Sequence, residues 1–204
     1  MSNIKTAIYS IVMAAGFAIG AAHAQNSENA ADAPSNGAQA NGDLNLGETV
    51  ETEVGQTYIA ENHGDWNVRC IKAPEGKDPC QLYQLIVDGS GTSVAEISFF
   101  PLPEGQRAVA GATIAAPLET LLTQQITLSV DGGEARRYPF SWCSTGGCFA
   151  RVGFVAEEMT AFQRGATANM VIVPVQSPDN RVNLAISLDG FTAGYESIKR
   201  LNAE

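Results

Sequence analysis

The chain has 204 residues, of which 45% are hydrophobic, and it carries a formal net charge of −10 at pH 7. Its few basic residues never form a run longer than a doublet, as in Arg136-Arg137 and Lys199-Arg200. Nucleic-acid binding needs a basic patch that neutralises phosphates, so this composition argues against a nucleic-acid partner. The chain has four cysteines and two histidines, and these small numbers limit the metal-binding and catalytic sites that it could form.

The first segment has the features of an export signal. Lys5 supplies a positive charge, an apolar stretch runs from Ala7 to Ala22, and Ala22-His23-Ala24 fits the small-x-small cleavage rule. We therefore predict a signal peptide at 1–24, cut after Ala24. A retained membrane anchor is the alternative, but the apolar run is short for a spanning helix and no basic stop-transfer cluster follows it. We expect no transmembrane segment after cleavage.

An acidic segment follows at 25–57. It contains six acidic residues and no Lys or Arg, and it is nearly free of large apolar side chains. Such a composition cannot bury enough surface to offset the entropy of ordering, which predicts a disordered acidic leader. The segment would act as a solvated spacer, or alternatively as a tether or partner-binding tail.

The remaining residues, 58–204, are predicted to form one domain rich in β-strands. Apolar and polar residues alternate with a period of two, as in the stretch 126–130, and Asp131-Gly132-Gly133 predicts a tight turn. This pattern favours an all-β fold, a sandwich or barrel of about nine strands with one or two short helices. The strands are expected near 66–71, 80–87, 93–100, 107–115, 126–130, 135–142, 148–153, 168–175 and 182–188.

Two segments have helical spacing instead. Val155, Met159 and Phe162 recur at i, i+4 and i+7, and Gly165 suits the position after a helix. A weaker terminal helix is predicted around 195–201, where Gly194 lowers the helix propensity.

The four cysteines are Cys70, Cys80, Cys143 and Cys148, an even number behind a signal peptide, which predicts disulfides. Three pairings exist, and we favour Cys70–Cys80 with Cys143–Cys148 because each closes a short loop rich in Gly or Pro. A zinc site would need a repeated C-x₂₋₄-C spacing or added histidines, and a redox pair would favour C-x-x-C. Neither pattern is present, so we expect no metal ligands.

Catalytic signatures are missing from the sequence. His63 is the one histidine after the cleavage site, no nucleophile elbow or HExxH motif accompanies it, and it is expected to be exposed at a strand entrance. Glu157 and Glu158 are adjacent, so on a helix they would point apart rather than act as an acid and base pair. We expect no catalytic residue and no cofactor.

Two tryptophans lie near cysteines in the sequence. Trp66 precedes Cys70 by four residues and Trp142 precedes Cys143 directly. Aromatic packing over a disulfide predicts burial of both rings, with ligand stacking as the alternative.

Several motifs together resemble the invasion-associated locus B (IalB) family of exported bacterial proteins. They are GDWNVRC at 64–70, CQLYQ at 80–84, ITLSVDGGEARRYPFSWCSTGGCFAR at 126–151 and SLDGFTAGYESI at 187–198. The resemblance covers about 62–202 and implies a small all-β domain without established catalytic residues. The family is named after a member implicated in the entry of a pathogen into red blood cells.

These observations predict a non-enzymatic protein of the periplasm or outer membrane, or one that is secreted. It would bind an unknown envelope or host macromolecule, and in a host-associated bacterium it would act in invasion or adhesion as a virulence factor. The alternatives are a periplasmic hydrolase that uses carboxylates, and a structural or stress-related envelope protein.

Overall fold

The computed structural model describes residues 50–203. The predicted signal peptide at 1–24 and most of the acidic leader at 25–57 lie outside the described residues. Within that range, eleven strands form two sheets, accompanied by two α-helices and one short 3₁₀ turn.

The elements run in the following order. The strands are β1 Thr57–His63, β2 Trp66–Ile71, β3 Cys80–Val87, β4 Ser93–Pro101, β5 Ala110–Ala116, β6 Ile126–Val130, β7 Arg136–Tyr138, β8 Trp142–Ser144, β9 Gly147–Phe154, β10 Thr167–Ile172 and β11 Val182–Ser187. The helices are α1 Ala156–Arg164 and α2 Phe191–Asn202, and the 3₁₀ turn is Leu122–Gln124. Neither α-helix of this part of the chain is long and apolar enough to cross a membrane.

The larger sheet has the strand order β1-β2-β3-β4-β5-β9-β8, and the smaller one has the order β11-β10-β6-β7. All paired neighbours are antiparallel. The sheets do not close into a barrel, and α2 packs against β1 to β4 of the larger sheet. The arrangement is sandwich-like, which confirms the predicted all-β class with two short helices.

Two strand predictions differ from the structure. The edge strand β1 was not predicted, because TYIAENH alternates only weakly between apolar and polar residues. The single strand expected at 135–142 is two strands, and β7 belongs to the smaller sheet whereas β8 belongs to the larger. Pro139 lies between them, and because proline has no backbone N–H it interrupts a strand ladder.

The core is built from the inward-facing residues of both sheets and from both helices. Its centre is a cluster of aromatic rings whose centroids lie 5.0 to 5.8 Å apart. The cluster consists of Trp66, Phe99, Phe154, Phe162 and Phe191. Because Phe162 is on α1 and Phe191 is on α2, the helices share one hydrophobic core with the larger sheet.

A buried glutamine joins the two sheets. The Gln84 side chain on β3 donates to the Ser187 carbonyl at 3.0 Å and accepts from the Ser187 N–H at 3.1 Å. The Trp66 indole N–H donates to the same carbonyl at 2.9 Å. These hydrogen bonds satisfy the buried side-chain amide of Gln84. They also pair the backbone N–H and C=O of Ser187 at the edge of β11.

Two glycines fit close contacts rather than flexible turns. A Cβ atom on Gly194 would lie 2.4 Å from Cδ1 of Leu82, so glycine allows α2 to approach β3. Gly165 caps α1 with φ of −75°, so it does not use the left-handed conformation expected of a glycine after a helix. A Cβ atom there would lie 2.5 Å from Cγ1 of Val130, and the close packing of the helix end explains this glycine.

Candidate binding face

Both cysteine pairs form disulfides in the structure, in the arrangement that the sequence favours. Cys70 on β2 lies opposite Cys80 on β3, and Cys143 on β8 lies opposite Cys148 on β9. The Sγ–Sγ distances are 1.93 and 2.02 Å. Each bridge therefore joins two adjacent strands of the larger sheet.

The last residue of α2 completes the sheet beside the first bridge. The Asn202 amide accepts from the Cys80 N–H at 3.0 Å and donates to the Cys80 carbonyl at 2.9 Å. The pairing of β3 with β4 ends at Leu82 and Phe99, so beside Cys80 the Asn202 side chain occupies the place of a neighbouring strand. The bridge and the end of α2 are thereby held together.

His63 is half-buried at the end of β1 and not exposed as the sequence predicts. Its Nε2 lies 2.8 Å from a Glu61 carboxylate oxygen, which also accepts from the Ser197 hydroxyl at 2.6 Å. The Ser197 hydroxyl and then His63 lower the pKa of Glu61. In a catalytic triad the histidine stands between the nucleophile and the acid. Here the carboxylate stands in the middle, so His63 is not placed to take a proton from Ser197.

Glu157 and Glu158 begin α1 but have different surroundings. Glu158 accepts from the Tyr138 hydroxyl at 2.8 Å and from the Val155 N–H at 2.8 Å, and it lies 3.3 Å from the Arg136 guanidinium. Burial, and then Glu158, raise the pKa of Tyr138. Glu157 is exposed, so the two carboxylates do not converge. In residues 50–203 no cluster of three or more metal-ligating side chains occurs.

The tryptophans also have different surroundings. Trp66 is buried as predicted, but it packs edge-on against Phe99 and Phe191 in the core. The predicted burial of Trp142 is wrong, because this residue is 44% exposed on β8 and stacks on Phe149 at 5.1 Å. The sequence cannot show this, since an edge strand of three residues leaves its tryptophan with one neighbouring strand to cover it.

This exposed stack belongs to a larger surface, the solvent-facing side of the seven-stranded sheet, which we call the outer sheet face. Its residues alternate along the strands with the buried residues of the core. The outer sheet face consists of Asn67, Arg69, Gln81, Tyr83, Leu85, Glu96, Ser98, Phe100, Thr113, Trp142, Phe149 and Arg151.

Arg69 crosses three strands of this face. Its guanidinium carbon lies 3.8 Å from the centre of the Tyr83 ring, and a terminal nitrogen donates to the Ser98 hydroxyl at 3.1 Å. Burial, and then the negative charge of Glu96, raise the pKa of Tyr83. These contacts hold Arg69 and Tyr83 in one arrangement, with Ser98 buried beneath them.

Phe100 is fixed in a similar way. A Cβ atom on Gly111 of the adjacent strand would lie 2.3 Å from the Phe100 ring, so the ring lies over the glycine. The glycine thus makes room for an aromatic side chain that is half-buried on the sheet surface.

The opposite surface of the sandwich, on the smaller sheet, is different. Its outward positions carry no aromatic ring, and all but Arg137 have short side chains, namely Thr127, Ser129, Asn169, Val171, Asn183 and Ala185. Aromatic side chains are therefore concentrated on one of the two sheet surfaces.

Tyr83, Phe100 and Phe149 were missed as surface residues in the sequence. A signal existed in the alternation of β3 and β9, which places Tyr83 and Phe149 in phase with polar neighbours such as Gln81 and Arg151. Aromatic residues in the polar phase of a strand indicate a surface that is not covered by the protein's own core.

The fold and its two cross-strand bridges define a small disulfide-bonded β-sandwich. A sequence profile described as "Invasion associated locus B (IalB) protein" matches residues 66–199. The chain belongs to this family, which confirms the resemblance seen in its motifs.

Relatives and a solved structure agree with this assignment. An invasion protein B homolog of Brucella abortus (strain 2308) is 28% identical over 151 residues, covering 72% of this chain and 83% of the relative. A homolog of B. abortus biovar 1 (strain 9-941) gives the same figures. The crystal structure of invasion associated protein B from Bartonella henselae has the same fold, with a TM-score of 0.60 at 22% identity, covering 69% of this chain and 95% of that one.

Proposed function

We propose that this IalB-family protein is an exported, non-enzymatic binding protein whose outer sheet face recognises a partner protein at the bacterial envelope or beyond it. The observation that carries the proposal is the difference between the two sheet surfaces. Aromatic side chains and two arginines lie at least partly exposed on the larger sheet, whereas the outward positions of the smaller sheet carry no aromatic ring and, apart from Arg137, only short side chains.

The size of the outer sheet face fits a protein partner. Six strands about 4.8 Å apart span roughly 24 Å, and the five longer ones, of six to nine residues at about 3.3 Å, give roughly 20 to 30 Å. The product is roughly 480 to 720 Å², of the same order as the ~800 Å² that each partner buries in a standard interface.

The composition of the face also fits a protein interface. Tyrosine, tryptophan and arginine provide most of the binding energy in such interfaces. Because Arg69 and Tyr83 already contact each other, little side-chain entropy would be lost when a partner binds. Arg151 is exposed and forms no ion pair within residues 50–203. A partner that presents carboxylates opposite Arg151 would therefore match the face.

The export route rests on the sequence. The signal peptide at 1–24 would be removed after Ala24, the acidic segment at 25–57 would serve as a spacer, and 58–204 would form the binding domain. Two disulfides fit an oxidising compartment such as the periplasm. The names of the Brucella and Bartonella relatives support a partner on a host cell if this bacterium is host-associated.

A non-enzymatic role is supported by the surroundings of the candidate catalytic groups. The carboxylate of Glu61 separates Ser197 from His63, and Glu158 already has three partners in Arg136, Tyr138 and Val155.

Affinity capture with matched variants tests the proposal. The mature chain, with and without 25–57, would be immobilised and exposed to envelope extract of the source bacterium, or to host membranes where a host exists. Arg151→Glu combined with Trp142→Ser changes the outer sheet face. Arg181→Glu combined with Val175→Ser is the control, because both residues are also exposed but lie outside that face.

We expect a protein that wild type and the control capture equally and that the face variant captures at least about tenfold less. Melting temperatures would confirm that both variants fold. Equal capture by the face variant and the control, or no partner retained under native conditions, would contradict the proposal.

A further inference from the structure

A second feature lies away from the outer sheet face, in the space between α1 and the hairpin of β6 and β7. It is a cavity of about 210 Å³ whose floor is apolar. The floor contains the buried side chains of Leu128, Phe154 and Phe162, and Val130 and Ala161 complete the apolar lining. An apolar group is therefore favoured at the floor of this cavity.

The volume of the cavity limits the group that it can hold. An apolar protein cavity of about 150 Å³ is large enough to bind benzene. The cavity beside α1 is larger at about 210 Å³, and it therefore has room for a ring or branched chain of about six carbons.

The charged side chains around the cavity are mostly negative. Glu134 belongs to the turn between β6 and β7, and Glu157 and Glu158 belong to the first turn of α1. Among the described residues that line the cavity, Arg136 on β7 is the one with a positive side chain. Three carboxylates against one guanidinium leave an excess of negative charge at the rim.

The three carboxylates differ in the partners that they already have. Glu158 accepts two hydrogen bonds and lies 3.3 Å from Arg136, so it offers little to a ligand. Glu134 is 3.9 Å from the same guanidinium and its side chain is 80% exposed, so water weakens that ion pair. Glu157 forms no ion pair within the described part of the chain. Glu134 and Glu157 can therefore face a cation, one from the hairpin and the other from the helix.

Neighbouring positive charges do not cancel this excess. Arg137 lies opposite Thr127 in the ladder of β6 and β7, so its side chain faces outward from the smaller sheet and away from the cavity. Arg107 lines an adjoining depression on the far side of the hydrogen bond from Tyr138 to Glu158. The N-terminus of α1 adds about half a positive charge, which is less than the charge of one carboxylate. The rim therefore favours a cation.

We propose that this cavity binds a small amphipathic amine. The apolar group of the amine, of about six carbons, lies against Phe154 and Phe162, and its ammonium group lies at the rim between Glu134 and Glu157. The cavity is separate from the outer sheet face, so the proposal goes beyond the partner-binding function and does not depend on it.

Calorimetric titration of the mature chain with cyclohexylmethylamine tests the site, because this probe carries a six-carbon ring and is an ammonium at pH 7, as a lysine side chain is. Cyclohexylmethanol and cyclohexanecarboxylate serve as neutral and anionic probes of similar shape, and methylamine lacks the ring. We expect saturable binding of cyclohexylmethylamine at millimolar concentrations and about fivefold weaker binding of the alcohol. The carboxylate and methylamine should not bind measurably.

Variants locate the bound probe. Glu134→Gln combined with Glu157→Gln should weaken binding of the ring amine about fivefold and leave binding of the alcohol unchanged, because only charge is removed. Glu75→Gln combined with Glu104→Gln is the matched control, since both residues are exposed and lie outside the cavity lining, and it should bind the amine as wild type does. Ala161→Phe should fill the cavity and abolish binding of the amine and the alcohol alike, and a melting temperature would verify that this variant folds.

Four results would overturn the proposal. They are the absence of ring-amine binding, equal or tighter binding of the alcohol or the carboxylate, wild-type amine affinity in the Glu134 and Glu157 double variant, and wild-type amine affinity in a folded Ala161→Phe variant. The probe series and the glutamate variant decide the question without the Ala161 variant.

The outer-face variant Arg151→Glu/Trp142→Ser should bind the amine normally, which separates a failure of this site from a failure of the partner-binding face. Loss of amine binding in that variant would place the amine on the outer sheet face and would also contradict the proposal.

Discussion

At the residue scale, Asp78 connects the start of the domain to the loop between β2 and β3. Its carboxylate accepts from the Ala73 N–H at 2.8 Å and from the Tyr58 hydroxyl at 2.7 Å, and Lys72 lies 3.4 Å away. The Ala73 N–H, and then the Tyr58 hydroxyl, lower the pKa of Asp78 below its ordinary value of 3.8.

The sign of the pH effect follows from this lowered pKa. The unfolded chain binds a proton at Asp78 more tightly than the folded chain, so acid favours unfolding. The stabilisation is complete above the ordinary pKa near 3.8 and is lost as the pH falls through the lowered pKa of the folded protein. We predict that Asp78→Asn lowers the free energy of unfolding at pH 7 and that the difference from wild type shrinks in acid.

Urea unfolding across this pH range would measure the effect. Asp179→Asn is a suitable control, because Asp179 is exposed and makes no hydrogen bond through its side chain within residues 50–203. An Asp78→Asn variant whose deficit stays constant or grows in acid would refute the assignment.

At the element scale, the two disulfides join neighbouring strands but differ in burial. Cys70 and Cys80 are 1% and 4% exposed in the core, whereas Cys143 is exposed on the edge strand β8. The chain-entropy model gives about 3 kcal/mol for the first bridge and about 2 kcal/mol for the second, because the second loop is shorter. Removing the buried pair also leaves a cavity in the core, which adds to its cost.

We therefore predict that Cys70→Ala/Cys80→Ala destabilises the domain more than Cys143→Ala/Cys148→Ala does. Urea unfolding of the oxidised proteins would give both free energies. Peptide mapping without reduction would identify the bridges directly. A crosslink between Cys70 and Cys143, or a larger loss from the second double variant, would contradict the account.

The sequence predicts the elements better than their junctions. The alternation of β3 and β6 is strong because one face of each strand is buried, and both strands were located from this pattern. The division of the predicted strand 135–142 at Pro139 depends on β7 joining one sheet and β8 the other. That choice is set by tertiary packing. Gly194 lowered the expected helicity around 195–201, yet α2 begins at Phe191 because packing against Leu82 outweighs helix propensity.

At the scale of the whole molecule, the sandwich has two unlike surfaces. The outer sheet face combines residues from six strands, and the contact of Arg69 with Tyr83 and Ser98 depends on the register of three of them. Strand register is not readable from periodicity alone, so the sequence predicted a binding domain but did not predict the outer sheet face. The family was recognisable from motifs around the cysteines, which mark the scaffold.

The central claim is that the partner binds the outer sheet face. The most direct measurement is photocrosslinking from p-benzoylphenylalanine placed at Leu85, which is 47% exposed on that face, and separately at Ala185 on the smaller sheet. The account predicts a specific adduct from position 85, formed with envelope or host-membrane proteins, and none from position 185. An adduct from position 185 alone, equal adducts from both positions, or none from either would contradict it.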